Sequence, residues 1–430
     1  MSVSLVLLND TLRWHDNPLL AFANASPSPE QKKVALVVLD KAAFFGRQYG
    51  LQRANLHRLQ QQLSLIAGLR ASLASQNIGL ITLVGNTASC VQTLSQQLAA
   101  TELICAEPVA PNECKAIQQL ALSLKVTQLD CNSLLGDALR PDLSQLPHSF
   151  SPFRKQREPL LAVSAPVTTT TGTGWLTVNQ TKAYNTDFAA LEQQFQPQSV
   201  AMAASENSAL TRVQHFIWQS KHILHYKDTR NQLLGENYAS FLSTPLAAGS
   251  LSVRQIWQEI TDFEQQVSAN ESTYWLKFEL LWREFFRWQM RKHTNRWFSK
   301  GAVKGALDFT LPALSHAQHL AFTRWCHANT GVDFVDANMR LLNQTGLMSN
   351  RGRQNVASYL IHDLAIDWRL GAAYFEQRLL DYDCASNWGN WAYIAGTGNS
   401  TERQFNIAKQ ARLYDADGSF VKAMLLQAKP

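Results

Sequence analysis

The runs "VSLVLLN" (residues 3–9) and "KVALVVLD" (residues 33–40) decide the class of the first part of the chain. Each is apolar at nearly every position instead of every second one, as expected of strands buried on both faces of a parallel sheet. Working outward, a helical pattern over Pro18–Asn24 separates the two runs and another over Leu51–Gln76 follows the second. "IGLITLVG" (78–85) then leads into Ala88–Ala100, "TELICAE" (101–107) into Glu113–Leu124, and "KVTQLD" (125–130) closes the series. Strands alternating with helices predict βαβ units, hence an α/β domain with helices on both faces of its sheet. Pro18, directly behind Asp16 and Asn17, suits the first position of a helix, where its missing amide hydrogen costs nothing. No G-x-G-x-x-G follows the first run and no G-x-x-x-x-G-K-[ST] occurs. The backbone therefore lacks the glycines that let amides approach a dinucleotide pyrophosphate, and a conventional NAD site is not expected.

The 430 residues have room for two or three domains. The expected organisation is the α/β domain over 1–135, a long connector over 136–205 that includes the aperiodic "TTTTGTG", and an all-helical domain over 206–430, where 3.6-residue periodicity replaces strand signals. A hydrophobic fraction of 46% with 17% charged residues describes a folded globular chain, and no stretch approaches the roughly 20 apolar residues that span a bilayer. The first residues lack a basic segment and their apolar run stops at Asn9 and Asp10, so they read as a strand and not a signal peptide. Six cysteines without a C-x-x-C pair or zinc spacing predict a reducing, cytoplasmic setting. The net charge of +6 permits a polyanionic partner without requiring one. Ten of the twelve tryptophans lie beyond residue 206. Rings held for ligand stacking and rings held for ordinary core packing are equally good readings of that bias.

Three segments of the helical half carry chemistry. In "YWLKFELLWREFFRW" (274–288), helical spacing puts Trp275, Phe278, Glu279, Trp282, Phe285 and Phe286 on one face, so a carboxylate stands in an aromatic stripe. Either Glu279 pairs with Arg283 one turn on, or Trp282 stacks on a flat ring whose edge Glu279 hydrogen-bonds. In "TGLMSNRGRQNVASYL" (345–360), Ser349 or Asn350 can cap a helix running to about Leu370, with Trp368 at its far end. Free first-turn amides beside Arg351 and Arg353 suit a phosphate or another anion; solvated arginines on a capped helix are the bland alternative. In "DYDCASNWGNWAY" (381–393), an EF-hand is excluded because Ala385, Ser386 and Ala392 stand where a ligand, glycine and glutamate are required. No metal is expected. Asp381, Asp383 and Asn387 flanked by Trp388, Trp391 and Tyr393 suit a heteroaromatic ligand with N–H groups.

Taken together, these segments with "LLNDTLRWHDNPLLAF" (7–22), "YKDTRNQLLGENYASFLSTPLAAGSLSVRQIW" (226–257) and "RQFNIAKQARLYD" (403–415) resemble the photolyase/cryptochrome family over nearly the whole chain. "SNRGRQNVAS" and "SNWGNWAY" point to its cryptochrome DASH branch. The resemblance implies a Rossmann-like α/β domain able to hold an antenna chromophore, usually the folate methenyltetrahydrofolate, and an all-α domain that binds FAD. By position it implies Tyr226, Ser240, Leu242 and Ser243 on the adenosine and phosphate side of FAD, and Asn350, Arg353, Asp381, Asp383 and Asn387 around the flavin. Arg230, Arg351 and Arg403 match positions that hold DNA phosphates, while Glu279, Trp282, Gln354 and Tyr393 match the lesion pocket. Gln354 and Tyr393, where duplex-repairing relatives have Met and Trp, imply a preference for single strands.

The implied reaction is light-driven splitting of cyclobutane pyrimidine dimers by an electron from reduced FAD, with Glu279, Trp282 and Asn387 at the reacting groups, in a monomeric protein with no membrane partner. The alternative within the family is a blue-light receptor signalling through flavin redox change. The tryptophan relay that reduces FAD should begin at Trp391 and Trp368, but the third member, expected near "LPALSHAQHL" (311–320), is missing; Trp325, Trp297 or a tyrosine are the candidates to replace it. Asn9 and Thr11 also stand where an arginine and an aspartate are common, which bears on the antenna.

Overall fold

A computed structural model describes residues 2–25, 31–136, 139–195 and 205–426. Strands β1 (Val3–Leu7), β2 (Lys32–Asp40), β3 (Leu80–Gly85), β4 (Glu102–Ala106) and β5 (Lys125–Leu129) form one parallel sheet in the order β3-β2-β1-β4-β5. Val3 pairs with Lys32 and Ser4 with Glu102, so β1 is the central strand from which the chain winds out both ways. Helices α1 (Pro18–Asn24), α2 (Leu56–Ala74), α3 (Thr87–Leu98) and α4 (Pro111–Leu120) make the crossovers. The unbroken apolar runs are explained by two cores. Val6, Ala35 and Val37 meet Leu19, Leu20, Leu63 and Ile66 of α1 and α2 on one face, whereas Leu5, Val34 and Leu36 meet Val91, Leu94, Ile117 and Leu120 of α3 and α4 on the other. Asn17 caps α1, its Oδ1 accepting from the amides of Leu19 and Leu20, with Pro18 at the first helical position.

The stretch read as an aperiodic connector is built into both halves. Phe150–Arg157 is a helix, and its Phe150 and Phe153 are buried in the helical core. Farther on, Trp175 bridges to Lys33 beside β2 and donates from Nε1 to Asn24 at 2.8 Å, and Phe188 is fully buried under the sheet domain. Isolated aromatic anchors give little periodicity, which is why the pattern looked structureless. Residues 137, 138 and 196–204, next to the two expected domain boundaries, lie outside the described residues.

In the remainder the elements that shape the site are α5 (Glu271–His293), α6 (Asn350–Ser358), α7 (Trp368–Arg378) and α8 (Cys384–Ile394). The single helix expected from residue 350 to about Leu370 is two. After α6 the backbone widens into a π turn over Tyr359–Asp363, Ala365 takes a left-handed φ of 50°, and Asp367 caps a new helix by accepting from the Arg369 amide. Trp368 therefore opens α7 instead of ending α6.

The two halves are joined by buried polar groups. The Arg13 guanidinium is fully buried and donates to the carbonyls of Asp16, Cys131 and Gly249 and to Asn132 Oδ1. Asp16 receives Arg254 bidentately at 2.9 and 3.0 Å and also accepts from Ser252. Glu284 of α5 accepts from the amides of Leu134 and Leu135 and from Trp288 Nε1. These contacts fix α5, and hence the site, against the α/β domain.

Candidate functional site

Helices α5, α6 and α8 with the segment around Tyr238–Ser243 enclose a cavity of about 630 Å³. Of the residues singled out in the sequence, it gathers Tyr226, Arg230, Ser240, Leu242, Ser243, Glu279, Trp282, Asn350, Arg351, Arg353, Gln354, Asp381, Asp383, Asn387, Trp391 and Tyr393. Trp368 and Arg403 are not in its wall. Arg403 is beside the mouth, its Nη2 donating to the Tyr393 hydroxyl at 3.2 Å.

At one end of the cavity Arg353 donates to Asp381 Oδ2 at 2.8 Å and to the Met348 carbonyl at 2.9 Å. The other Asp381 oxygen is buried and has no partner among the described residues. A buried polar oxygen left so is costly, and this one awaits a donor from a bound molecule. Asn387 donates its amide to the Ala372 carbonyl at 3.0 Å, which leaves its oxygen as the end presented to the cavity. Asp383 spends one oxygen capping α8, accepting from the Ser386 amide at 2.7 Å. On the opposite wall, the Tyr226 phenol is held neutral by burial, and Phe241 takes a left-handed φ of 57° immediately before Leu242 and Ser243.

Toward the mouth, Glu279 is paired with Arg230 at 2.5 Å and not with Arg283. Burial pushes its carboxyl above the usual 4.5, opposed by Arg230. Arg230 lies over Trp275 at 4.5 Å, and Arg351 lies over Tyr414 at the same distance. Ser349, not Asn350, is the cap of α6, and its Oγ takes the Gly352 amide. The first-turn arginines are spent on side chains: Arg351 on Gln354 and Asn231, Arg353 on Asp381.

The aromatic stripe divides. Trp275, Phe278, Trp282 and Phe286 line the cavity, whereas Phe285 is fully buried against Phe150 and Phe153. One face of Trp282 is already covered by Phe150, stacked at 3.8 Å and 11°. Trp288, Trp297, Trp325 and Trp388 are fully buried, so much of the tryptophan bias is core packing. Trp391 meets Trp325 at 6.3 Å, and Trp368 meets Trp388 at 5.9 Å.

Sequence reasoning missed Phe150, for which the i, i+3 pair Phe150/Phe153 was the available signal. It named Arg283 only as a partner for Glu279, whereas Arg283 lines the cavity, donates to the Asn132 and Leu246 carbonyls, and has its pKa lowered by burial and Arg287 to about 10. The i, i+4 ladder Arg283–Arg287–Arg291 marked it. Tyr238 and Asn390 carried no such mark.

Residues 275–428 match the FAD-binding domain of DNA photolyase, and residues 4–170 match the DNA photolyase domain. Cryptochrome DASH of Natronomonas pharaonis is 38% identical, covering 99% of this chain and 90% of that protein. The protein belongs to the photolyase/cryptochrome family, in its cryptochrome DASH branch. Cryptochrome DASH of Gloeobacter violaceus is 36% identical over 98% of this chain and 85% of its own. The Synechocystis sp. PCC6803 cryptochrome structure superposes with a TM-score of 0.86 at 34% identity, covering 99% of this chain and 89% of that one. The helical half is thus the family's FAD-binding domain, and the orphaned Asp381 oxygen beside a guanidinium and an amide oxygen fits a flavin ring with both donor and acceptor edges. No helix among the described residues is long and apolar enough to cross a membrane.

Proposed function

We propose that the protein splits cyclobutane pyrimidine dimers in DNA with light, preferring single strands. The observation that carries this reading is one cavity whose inner end suits a flavin and whose mouth brings Glu279, Trp282, Gln354 and Tyr393 together between Arg230, Arg351 and Arg403. Bound reduced FAD supplies the light-excited electron that opens the dimer. The chain's own residues do the rest. Asn350, Arg353, Asp381, Asp383 and Asn387 hold the flavin end; Tyr226, Ser240, Leu242 and Ser243 hold the nucleotide end. Asn387 cannot ionise, so it adds no charge beside the ring. Glu279 accepts from a pyrimidine N–H, and the Trp282 ring, backed by Phe150, gives the dimer a flat apolar wall.

The three arginines bind the phosphates flanking an extruded lesion. Extrusion from a duplex costs a few kcal/mol of unstacking, which a single strand largely avoids. Gln354 and Tyr393 offer polar contacts in place of apolar packing against that extruded pair, which favours the strand that needs least opening. A second cavity of about 790 Å³, at the carboxyl ends of β1, β2 and β4, is lined by Asp10, Asp40, Glu107, Arg53 and Arg58 and is proposed for a folate antenna. Mass analysis of acid-released chromophores tests that assignment.

The decisive experiment follows dimer loss in ultraviolet-treated oligothymidine under blue light with reduced holoprotein. The expected result is loss that needs light, is faster on single strands than on duplex, and is crippled in Glu279→Ala. Dark binding with no dimer loss in light refutes the repair reading and leaves signalling through flavin redox change.

A further inference from the structure

Gln354 is one turn from Arg351 on α6, and both line the mouth of the cavity. Arg351 Nη1 donates to Gln354 Oε1 at 2.9 Å while Nη2 donates to Asn231 Oδ1 at 3.0 Å. The guanidinium lies over the Tyr414 ring at 4.5 Å, and the Asn355 amide donates to the Arg351 carbonyl at 2.9 Å. Guanidinium groups carry donors only, so whichever end of a carboxamide faces one must be the oxygen. The orientation of Gln354 is therefore dictated by charge and not chosen freely: its Nε2, with two N–H groups and no protein partner among the described residues, is the end left for the cavity. In the same cavity Arg230 holds Glu279, a carboxylate, which can only accept when ionised. The pocket thus presents an acceptor, Glu279, and a donor, Gln354.

We propose that Arg351 is a positioning residue for Gln354, fixing its N–H groups toward the bound lesion, and that the pocket thereby selects pyrimidine rings with a carbonyl at C4 over rings with an amino group there. This inference rests on the dimer-binding reading above. A 4-oxo ring meets the Gln354 N–H groups with a lone pair. A 4-amino ring sets donor against donor and leaves both unpaired in a desolvated mouth, a loss on the scale of one hydrogen bond. The phosphate contact of Arg351 is the same for every base, whereas Glu279 adds to the preference because a 4-amino ring also lacks the N3 hydrogen it accepts; Arg351 governs only the share carried by the Gln354 amide.

The test measures dark affinities of the FAD-loaded protein for three single strands: undamaged oligothymidine, the same strand with one thymine–thymine dimer, and one with a thymine–5-methylcytosine dimer. The wild type is expected to prefer the thymine–thymine dimer over the 4-amino dimer by roughly threefold to tenfold. In Arg351→Met the lost phosphate contact weakens all three strands together, and the ratio between the dimers falls by the share the amide carried, because the released amide can turn over, leaving the share set by Glu279. In Gln354→Glu, which faces the ring with an acceptor and keeps the Arg351 partner, the ratio falls below that of Arg351→Met. Retained FAD absorbance shows that each variant is folded. An unchanged dimer ratio in Arg351→Met, or no preference in the wild type, overturns the proposal. Equal binding of damaged and undamaged strands by the wild type overturns the dimer-binding reading as well, and is thereby told apart from failure of the positioning role.

Discussion

Glu279 shows how little a residue's identity says without its partners. In the sequence the opposite charge one helical turn on is Arg283; in space its partner is Arg230, forty-nine positions away. Its side chain is 31% exposed and lines the cavity. Because burial raises its pKa above 4.5, the acceptor needed for a pyrimidine N–H is lost at a higher pH than a free glutamate would lose it. Dimer binding should fall as the solution is acidified through that raised range, and Glu279→Gln should remove the pH dependence while weakening binding. In the ligand-free protein the expected sign is opposite. A folded pKa above the unfolded one contributes stability that is complete below 4.5 and is lost as pH rises through the folded value, so Glu279→Gln should flatten that decline in thermal unfolding. Asp381 gives a second residue-level prediction. Asp381→Asn leaves Arg353 without its counter-charge and should weaken FAD by about thirtyfold or more, the low end for truncating a hydrogen-bonded charge pair. Titration of flavin fluorescence checks it.

At the scale of elements, the cavity exists because α5 is pinned against the first domain. Asp16, fully buried on the loop before α1, carries Arg254 and Ser252 of the helical half. Asp16→Ala strands a buried guanidinium and should cost about 3–5 kcal/mol, read as a lower urea midpoint. Trp391 sits in the cavity wall with Trp325 as an indole neighbour. Close packing holds this arrangement, since a Cβ at Gly371 of α7 would come within 2.2 Å of the Trp391 ring. Trp391→Phe should abolish photoreduction of oxidised flavin, and Trp325→Phe should slow it, with activity of chemically reduced protein intact in the latter. Unchanged photoreduction in Trp391→Phe removes the relay assignment.

Across the whole molecule, a net charge of +6 is modest, and what matters is that Arg230, Arg351 and Arg403 surround one mouth. Each arginine that neutralises a phosphate on a single strand contributes about 0.7 to the slope of log affinity against log salt. Arg403→Ala should therefore lower affinity for damaged and undamaged strands alike and reduce that slope by about 0.7. An unchanged slope places Arg403 outside the DNA contact.

Several features were legible in the chain alone because they are written in local periodicity and motif. Two-faced apolar runs required a covered parallel sheet, Asn17–Pro18 required a helix start, and the segments around Glu279, Arg353 and Asn387 carried the family. Position-by-position resemblance also named sixteen of the residues that line the cavity. Only the tertiary structure decided which charges meet, because a salt bridge such as Arg230–Glu279 or Asp16–Arg254 depends on where the chain returns and not on spacing. It also decided that "NRGRQNVASYLIHDLAIDW" (350–368) is two helices, since the turn at Ala365 has no proline or glycine to announce it. Likewise, the connector's aromatic rings find their partners only after both domains are in place. Neighbours along a chain set local conformation, but the charge and packing of a site are set by neighbours in space.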